Sequence, residues 1–239
     1  MAREVLSGKL PYRDFLLADP PLLIYILAGI RLVIGHRWLV FMAIPPFLES
    51  ITALILYKNL KMRGLKWSFL VPVLYLSSFL MLSTADYLTG LHFILLLLSL
   101  AFLWEKKPWL SGLCWSLACL IKLYVLPGVF VYMALLIYEK NWSYLLKFSI
   151  AGLLMAAVVM SPFMLSAPQQ VLEQLIIHQF ERPPGLNKWV VWSFFLRKDL
   201  VLILVAAAGM IWTKQKKLIA LTMSWVLFYI IFSDLYYLY

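Results

Sequence analysis

The stretch GKLPYRDFLLADPPLLIYILA, residues 8 to 28, sets Asp14 and Asp19 between cationic side chains and a Pro-Pro pair, directly before an apolar run. A carboxylate there could take a proton from a hydroxyl as general base, or ligate a metal. The plainer reading is a solvated rim in which Asp19 opens the turn into Pro20-Pro21. Its apolar neighbours Leu10, Phe15, Leu16 and Leu17 suit an interfacial helix. Asp86, in STADYLTG, is a third acid, with a helix cap as its ordinary role. Lys122, in LACLIKLYVLPG, is an ammonium inside an apolar segment. Such a group is costly in a bilayer, so it faces a bundle interior or a wet cavity, or snorkels to the headgroups. A phosphate is its natural partner.

The longest polar connection, residues 173 to 199, joins Arg182, Lys188, Arg197 and Lys198 to Trp189, Trp192, Phe194 and Phe195. That mixture fits an aromatic belt touching lipid headgroups, or a site where cations grip a lipid phosphate while aromatics shelter a prenyl chain. His178 lies in the same loop. With His36 and His92 it is too dispersed to mark a metal cluster. Cys114 and Cys119, five apart in one apolar segment, read as packing residues. There is no P-loop, dinucleotide fingerprint, HExxH or CxxC. Glu49, following Pro45-Pro46, is expected at a kink facing protein, with no role assigned.

These residues need a scaffold, and composition indicates which kind. Hydrophobic residues make up 64% of the chain and charged ones 13%, with a mean hydropathy of +0.90. Soluble domains hold roughly 45–50% and 25%. An integral membrane protein is predicted: all-α, a single multi-spanning helical bundle over residues 1–239. Apolar runs fall at about 38–57, 67–83, 88–104, 109–121, 127–138, 143–165, 200–212 and 217–233, none alternating as barrel strands do. The resulting plan has a juxtamembrane segment at 1–37, membrane helices over 38–165 and 200–233, and an outer loop at 166–199.

The net charge of +10 is distributed rather than patched. Loops near 58–66, 105–108, 139–147 and 213–217 carry 11 of the 21 basic residues against two acids, Glu105 and Glu139. Those loops are expected inside, with the N-terminal stretch, the Asp86 loop, 166–199 and the C-terminus outside. Cations scattered on helix flanks argue against a nucleic-acid partner. The segments 109–121 and 127–138 fall short of the roughly 20 residues a span needs. They read as a helix that breaks around Lys122 to Pro127 beside an outward cavity, or as a tilted hairpin.

At this point the residues carry a resemblance. VLSGKLPYRDFLLADPPLLIYILAGIRLVIG resembles the first outer-loop signature of the GT-C glycosyltransferases, which use dolichyl- or polyprenyl-phosphate sugars. That signature has a Gly, then Pro-Tyr-x-Asp-Phe, then Pro-Pro-Leu opening a helix. LSGLCWSLACLIKLYVLPGVF and HQFERPPGLNKWVVWSF are similar to later family stretches, less specifically. The resemblance implies transfer of a hexose, most often mannose, from a polyprenyl-phosphate donor to a lipid or glycan acceptor at the outer or lumenal face. It implies an outer carboxylate as base and cations on the departing phosphate. Carried over by position, Asp14 and Tyr12 belong to the Pro-Tyr-x-Asp-Phe match, and Lys122 and Arg182 to the later ones. Asp19 and Asp86 are alternative bases, and Tyr12, His178 and Lys188 further substrate contacts. No cofactor is assigned, and a divalent cation stays open, since one outer carboxylate serves equally as base or ligand.

The family carries one more helix before this signature, and its usual base lies roughly ten residues upstream of the position of Gly8. Here Gly8 is preceded by only seven residues. A truncated N-terminus is therefore expected, and it would also explain the lack of a topogenic signal. The ending FSDLYYLY is equally abrupt for the family. Two other readings stay open: a transporter or flippase component, and a non-catalytic subunit of a membrane complex. The latter places its intolerance to bulk at small residues such as Gly152 and Ala156.

Overall fold

The computed structural model describes residues 1–35, 37–66, 68–77 and 88–178. Among them the protein is all-helical, its one bridge being an isolated pairing of Pro11 with Phe15. In order come α1 (Ala2–Leu6), α2 (Leu22–Ile34), α3 (Trp38–Met62), α4 (Leu70–Leu76), α5 (Gly90–Leu103), α6 (Pro108–Ile121), a 3₁₀ turn (Leu123–Val125), α7 (Leu126–Tyr138), α8 (Trp142–Ser166), α9 (Pro168–Leu172) and a π turn (Glu173–Ile177). The apolar runs at 200–212 and 217–233 lie outside the described residues, as do Asp86, Arg182 and Lys188.

The helices follow the apolar runs closely, with one correction. Residues 8–21 form turns and not the interfacial helix expected there, and the short helix lies earlier, at α1. Pro11 has no N–H to give a helix. The Asp14 carboxylate accepts the Leu10 backbone N–H at 2.7 Å, and Tyr12 sits at φ 67. Each of these favours a turn over a helix.

α3 and α8, 25 residues each, are long and apolar enough to cross a membrane. Leu39, Phe47 and Leu54 of α3, and Leu153, Val158 and Leu165 of α8, point outward and are exposed. In water such faces would forgo about 25 cal/mol for every Å² of apolar surface left uncovered.

The described residues fall into two compact units. The first comprises Met1–Tyr124 and 146–178. In it α5 lies along the later part of α3, tied by Glu49 to His92 and, near the other end, by Arg63 to Glu105 at 2.6 Å. At 14 residues, α5 and α6 are about 21 Å long against about 37 Å for α3. α6 and α8 run parallel, with Gly112 against Phe148 and the Ser116 hydroxyl donating to the Gly152 carbonyl at 2.8 Å. α8 thus continues past the end of α6 by about 14 Å. There its Phe163 packs with Tyr12, Leu17, Ile24 and Val171. The turns of 8–21 therefore sit beyond the ends of the short helices, where a longer α6 would otherwise run.

Gly112 sets the distance between α6 and α8. A Cβ there would stand 2.3 Å from the Phe148 carbonyl oxygen, a backbone atom that cannot rotate away. A Cβ on Gly152 would meet only ordinary contacts, the nearest at 3.6 Å. Gly112→Ala is expected to cost about 1–3 kcal/mol in unfolding experiments in detergent, and Gly152→Ala much less. Equal tolerance at both positions would contradict this packing.

The second unit, in its described part Val125–Leu145, holds α7 and the first turn of α8. α7 carries Pro127 in its first turn, where a missing N–H costs nothing. Lys140 at φ 54 turns the chain, and the Tyr132 and Tyr144 rings meet edge to face at 6.4 Å.

Candidate functional site

α6 ends at Ile121, and Lys122 is already extended at φ −151, ψ 130. The chain break expected at Lys122 to Pro127 is thus present over Lys122 and the 3₁₀ turn, while Pro127 lies within α7. The break carries the Lys122 side chain clear of the helix. Its Nζ donates to Asp19 Oδ2 at 2.6 Å, across 103 residues of sequence. The lysine side chain is 20% exposed and the aspartate 38%, so solvent or a ligand can reach the pair.

The segment bearing Asp19 is held from two sides. The Tyr12 hydroxyl donates to the Asp19 carbonyl oxygen at 2.8 Å, and Pro20-Pro21 follow at once. Gln174, in the π turn, accepts the Leu17 N–H at 2.8 Å and donates to the Tyr12 carbonyl at 2.9 Å. One side-chain amide thus fixes two backbone groups of the loop. Tyr12 is 2% exposed, and its ring meets Phe163 edge to face at 5.6 Å. Burial, with the Asp19 charge beside it, pushes its phenol well above the usual range and keeps it a hydrogen-bond donor. A bulky residue at φ 67 is a backbone outlier costing on the order of 1–3 kcal/mol, persisting only where its surroundings enforce it. Here the enforcing contacts are Gln174, the Phe163 ring and the bond from the Tyr12 N–H to the Phe15 carbonyl.

Asp14 is placed differently. Its carboxylate accepts from the neighbouring Arg13 guanidinium at 2.9 and 3.0 Å and from the Leu10 N–H. The Arg13 hydrogen bonds first, and the Leu10 N–H second, hold its pKa down at about 2. A carboxylate so stabilised is a weak proton acceptor. Asp14 therefore serves its own turn, while Asp19 faces the lysine.

α5 contributes a further polar group. A Cβ on Gly90 would lie 3.8 Å from Lys122 Cγ and 2.9 Å from Ile121 Cγ2, so the start of α5 borders the lysine stem. Next to it, the Thr89 hydroxyl is buried with no hydrogen-bond partner among the described residues. A buried donor without a partner costs about 1–3 kcal/mol, and a ligand would satisfy it. His178 follows the π turn, half-buried at its end.

A second polar cluster lies within the helices. Glu49 Oε1 is 2.5 Å from Nδ1 of the fully buried His92, and Oε2 accepts from the Tyr75 hydroxyl. Glu49 does face protein, as expected. His92, a histidine with no marked role in the sequence, is its partner. Among the described residues no three His, Cys, Asp or Glu side chains converge as a metal site.

No protein-family model, curated protein or solved structure matches the chain.

Proposed function

We propose that the chain is a multi-spanning, GT-C-like membrane glycosyltransferase. It transfers a hexose, mannose being the commonest choice in that family, from a polyprenyl-phosphate donor to a lipid or glycan acceptor. The reaction takes place at the outer or lumenal face of the plasma membrane or endoplasmic reticulum. One observation carries the reading. Asp19, from the stretch resembling the outer-loop signature, and Lys122, from a separate matching stretch, form one solvent-reachable pair beyond the ends of two short helices.

In this reading Lys122 holds the donor phosphate, with the Thr89 hydroxyl as a second donor. Asp19 takes the proton of the acceptor hydroxyl as its oxygen attacks the anomeric carbon. Tyr12 and Gln174 position the loop that carries it. α3 and α8 present their apolar faces to lipid, so a prenyl chain reaches the site from within the leaflet.

The test is transfer of radiolabelled mannose from polyprenyl-phosphate mannose by the protein in proteoliposomes. Transfer is expected, and Lys122→Gln should raise the donor KM about 10- to 100-fold, the loss of one hydrogen bond to a charged group. Movement of the donor across the bilayer without transfer would select a transporter instead. Unaltered KM in Lys122→Gln would remove the phosphate assignment.

A further inference from the structure

The ion pair of Asp19 with Lys122 poses a conflict: the base and the phosphate-binding cation neutralise one another when no ligand is present. Lys122 is the one charged partner of Asp19 among the described residues. We propose that the donor phosphate unmasks the base. The phosphate displaces the Asp19 carboxylate from Lys122, and only then is Asp19 free to accept a proton. The inference rests on the transferase reading and adds to it an order: donor first, base second.

The geometry makes the exchange local. The backbone at Asp19 is pinned through its carbonyl by the Tyr12 hydroxyl, and the two prolines that follow restrict φ. The carboxylate can therefore leave Lys122 by rotating about its own side-chain bonds, with the loop unmoved. At 38% exposure it has space to do so. Lys122 follows directly on the end of α6, and the start of α5 borders its stem. Once the phosphate holds the ammonium, the displaced carboxylate lies beside the donor with no cation of its own.

The chemistry then balances. Asp19 accepts the proton of the acceptor hydroxyl, and that oxygen forms a bond to the anomeric carbon. The bond from the anomeric carbon to the phosphate oxygen breaks, with its electron pair going to the oxygen. Polyprenyl phosphate remains on Lys122, and the proton on Asp19 passes to water as product leaves. Acceptor arriving before donor meets a carboxylate still bound to lysine, so it is not activated.

Two sites that compete for one cation show reciprocal coupling. The probe is polyprenyl phosphate binding to the full chain in phosphatidylcholine nanodiscs, with polyprenol as the uncharged control. Asp19→Asn should tighten polyprenyl phosphate binding at least about fivefold while leaving polyprenol unchanged. Lys122→Gln should weaken binding, and Asp19→Asn should have no effect in that background. Asp19→Ser and Lys122→Met serve as second variants with the same expectations. If Lys122→Gln weakens binding but Asp19→Asn does not tighten it, the exchange is wrong and the phosphate reading survives. If Lys122→Gln and Lys122→Met both bind normally, the phosphate reading and the exchange fall together.

Discussion

Asp19→Asn is expected to reduce hexose transfer by about 10²- to 10⁴-fold, the usual contribution of a positioned general base. The substitution keeps the side chain's size and the bond from Tyr12 to the Asp19 carbonyl, so the loop should stay in place. Proton acceptance is lost, and with it the ion pair to Lys122. Asp14→Asn is the informative partner, because Asp14 lies inside the family-like Pro-Tyr-x-Asp-Phe match. Its carboxylate is engaged by Arg13 and Leu10, and an asparagine oxygen can still accept the Leu10 N–H. Transfer by Asp14→Asn should therefore stay close to wild type. Large loss in Asp14→Asn with little in Asp19→Asn would reverse the assignment.

The largest effect on stability is expected at Glu49 and His92. Both are buried between α3 and α5, with the Tyr75 hydroxyl on the other carboxylate oxygen. Removing one member takes from the other its partner in the buried Glu49–His92 contact. Glu49→Met or His92→Leu should each destabilise the protein by about 3–5 kcal/mol, seen as a shift in denaturant-induced unfolding in mixed micelles. Glu49→Met with His92→Leu should recover much of that loss, since apolar packing can replace a buried pair at little cost. The contrast between single and double replacements is the test. If the two single losses simply add, the groups do not act as a pair. Transfer activity measured on the folded fraction should be close to normal, because neither side chain belongs to the Asp19 and Lys122 pair.

Much of this arrangement was legible in the sequence, for specific reasons. Lys122 stood out because a lone cation in an apolar segment has few tolerable environments. The break after Ile121 followed from segments too short to span, and the apolar runs placed α3, α5, α6, α7 and α8 within a few residues. The choice between Asp14 and Asp19 was not legible. Both are aspartates in the same loop, and what separates them is a lysine 103 residues from Asp19 and an arginine adjacent to Asp14. Gln174 was hidden for a similar reason. A glutamine in a polar stretch carries no signal until its two partners, 157 and 162 residues away, are known. His92 and Glu49 each looked solitary, since 43 residues separate them. The turn at 8–21 was misread as helix because its apolar spacing mimics an amphipathic face, while the Asp14 side chain competes for the backbone.

The clasp formed by Gln174 also has a consequence for how the protein is made. At a synthesis rate of about 5–20 residues per second, Gln174 leaves the ribosome roughly 8 to 30 seconds after Leu17. Throughout that interval α2, α3, α5 and α6 are already made, yet the loop beside them lacks the partner of its Tyr12 carbonyl and Leu17 N–H. The helical scaffold is therefore completed before the site it carries. A nascent chain halted before Gln174 would hold these helices and still lack the side chain that clasps the loop carrying Asp19.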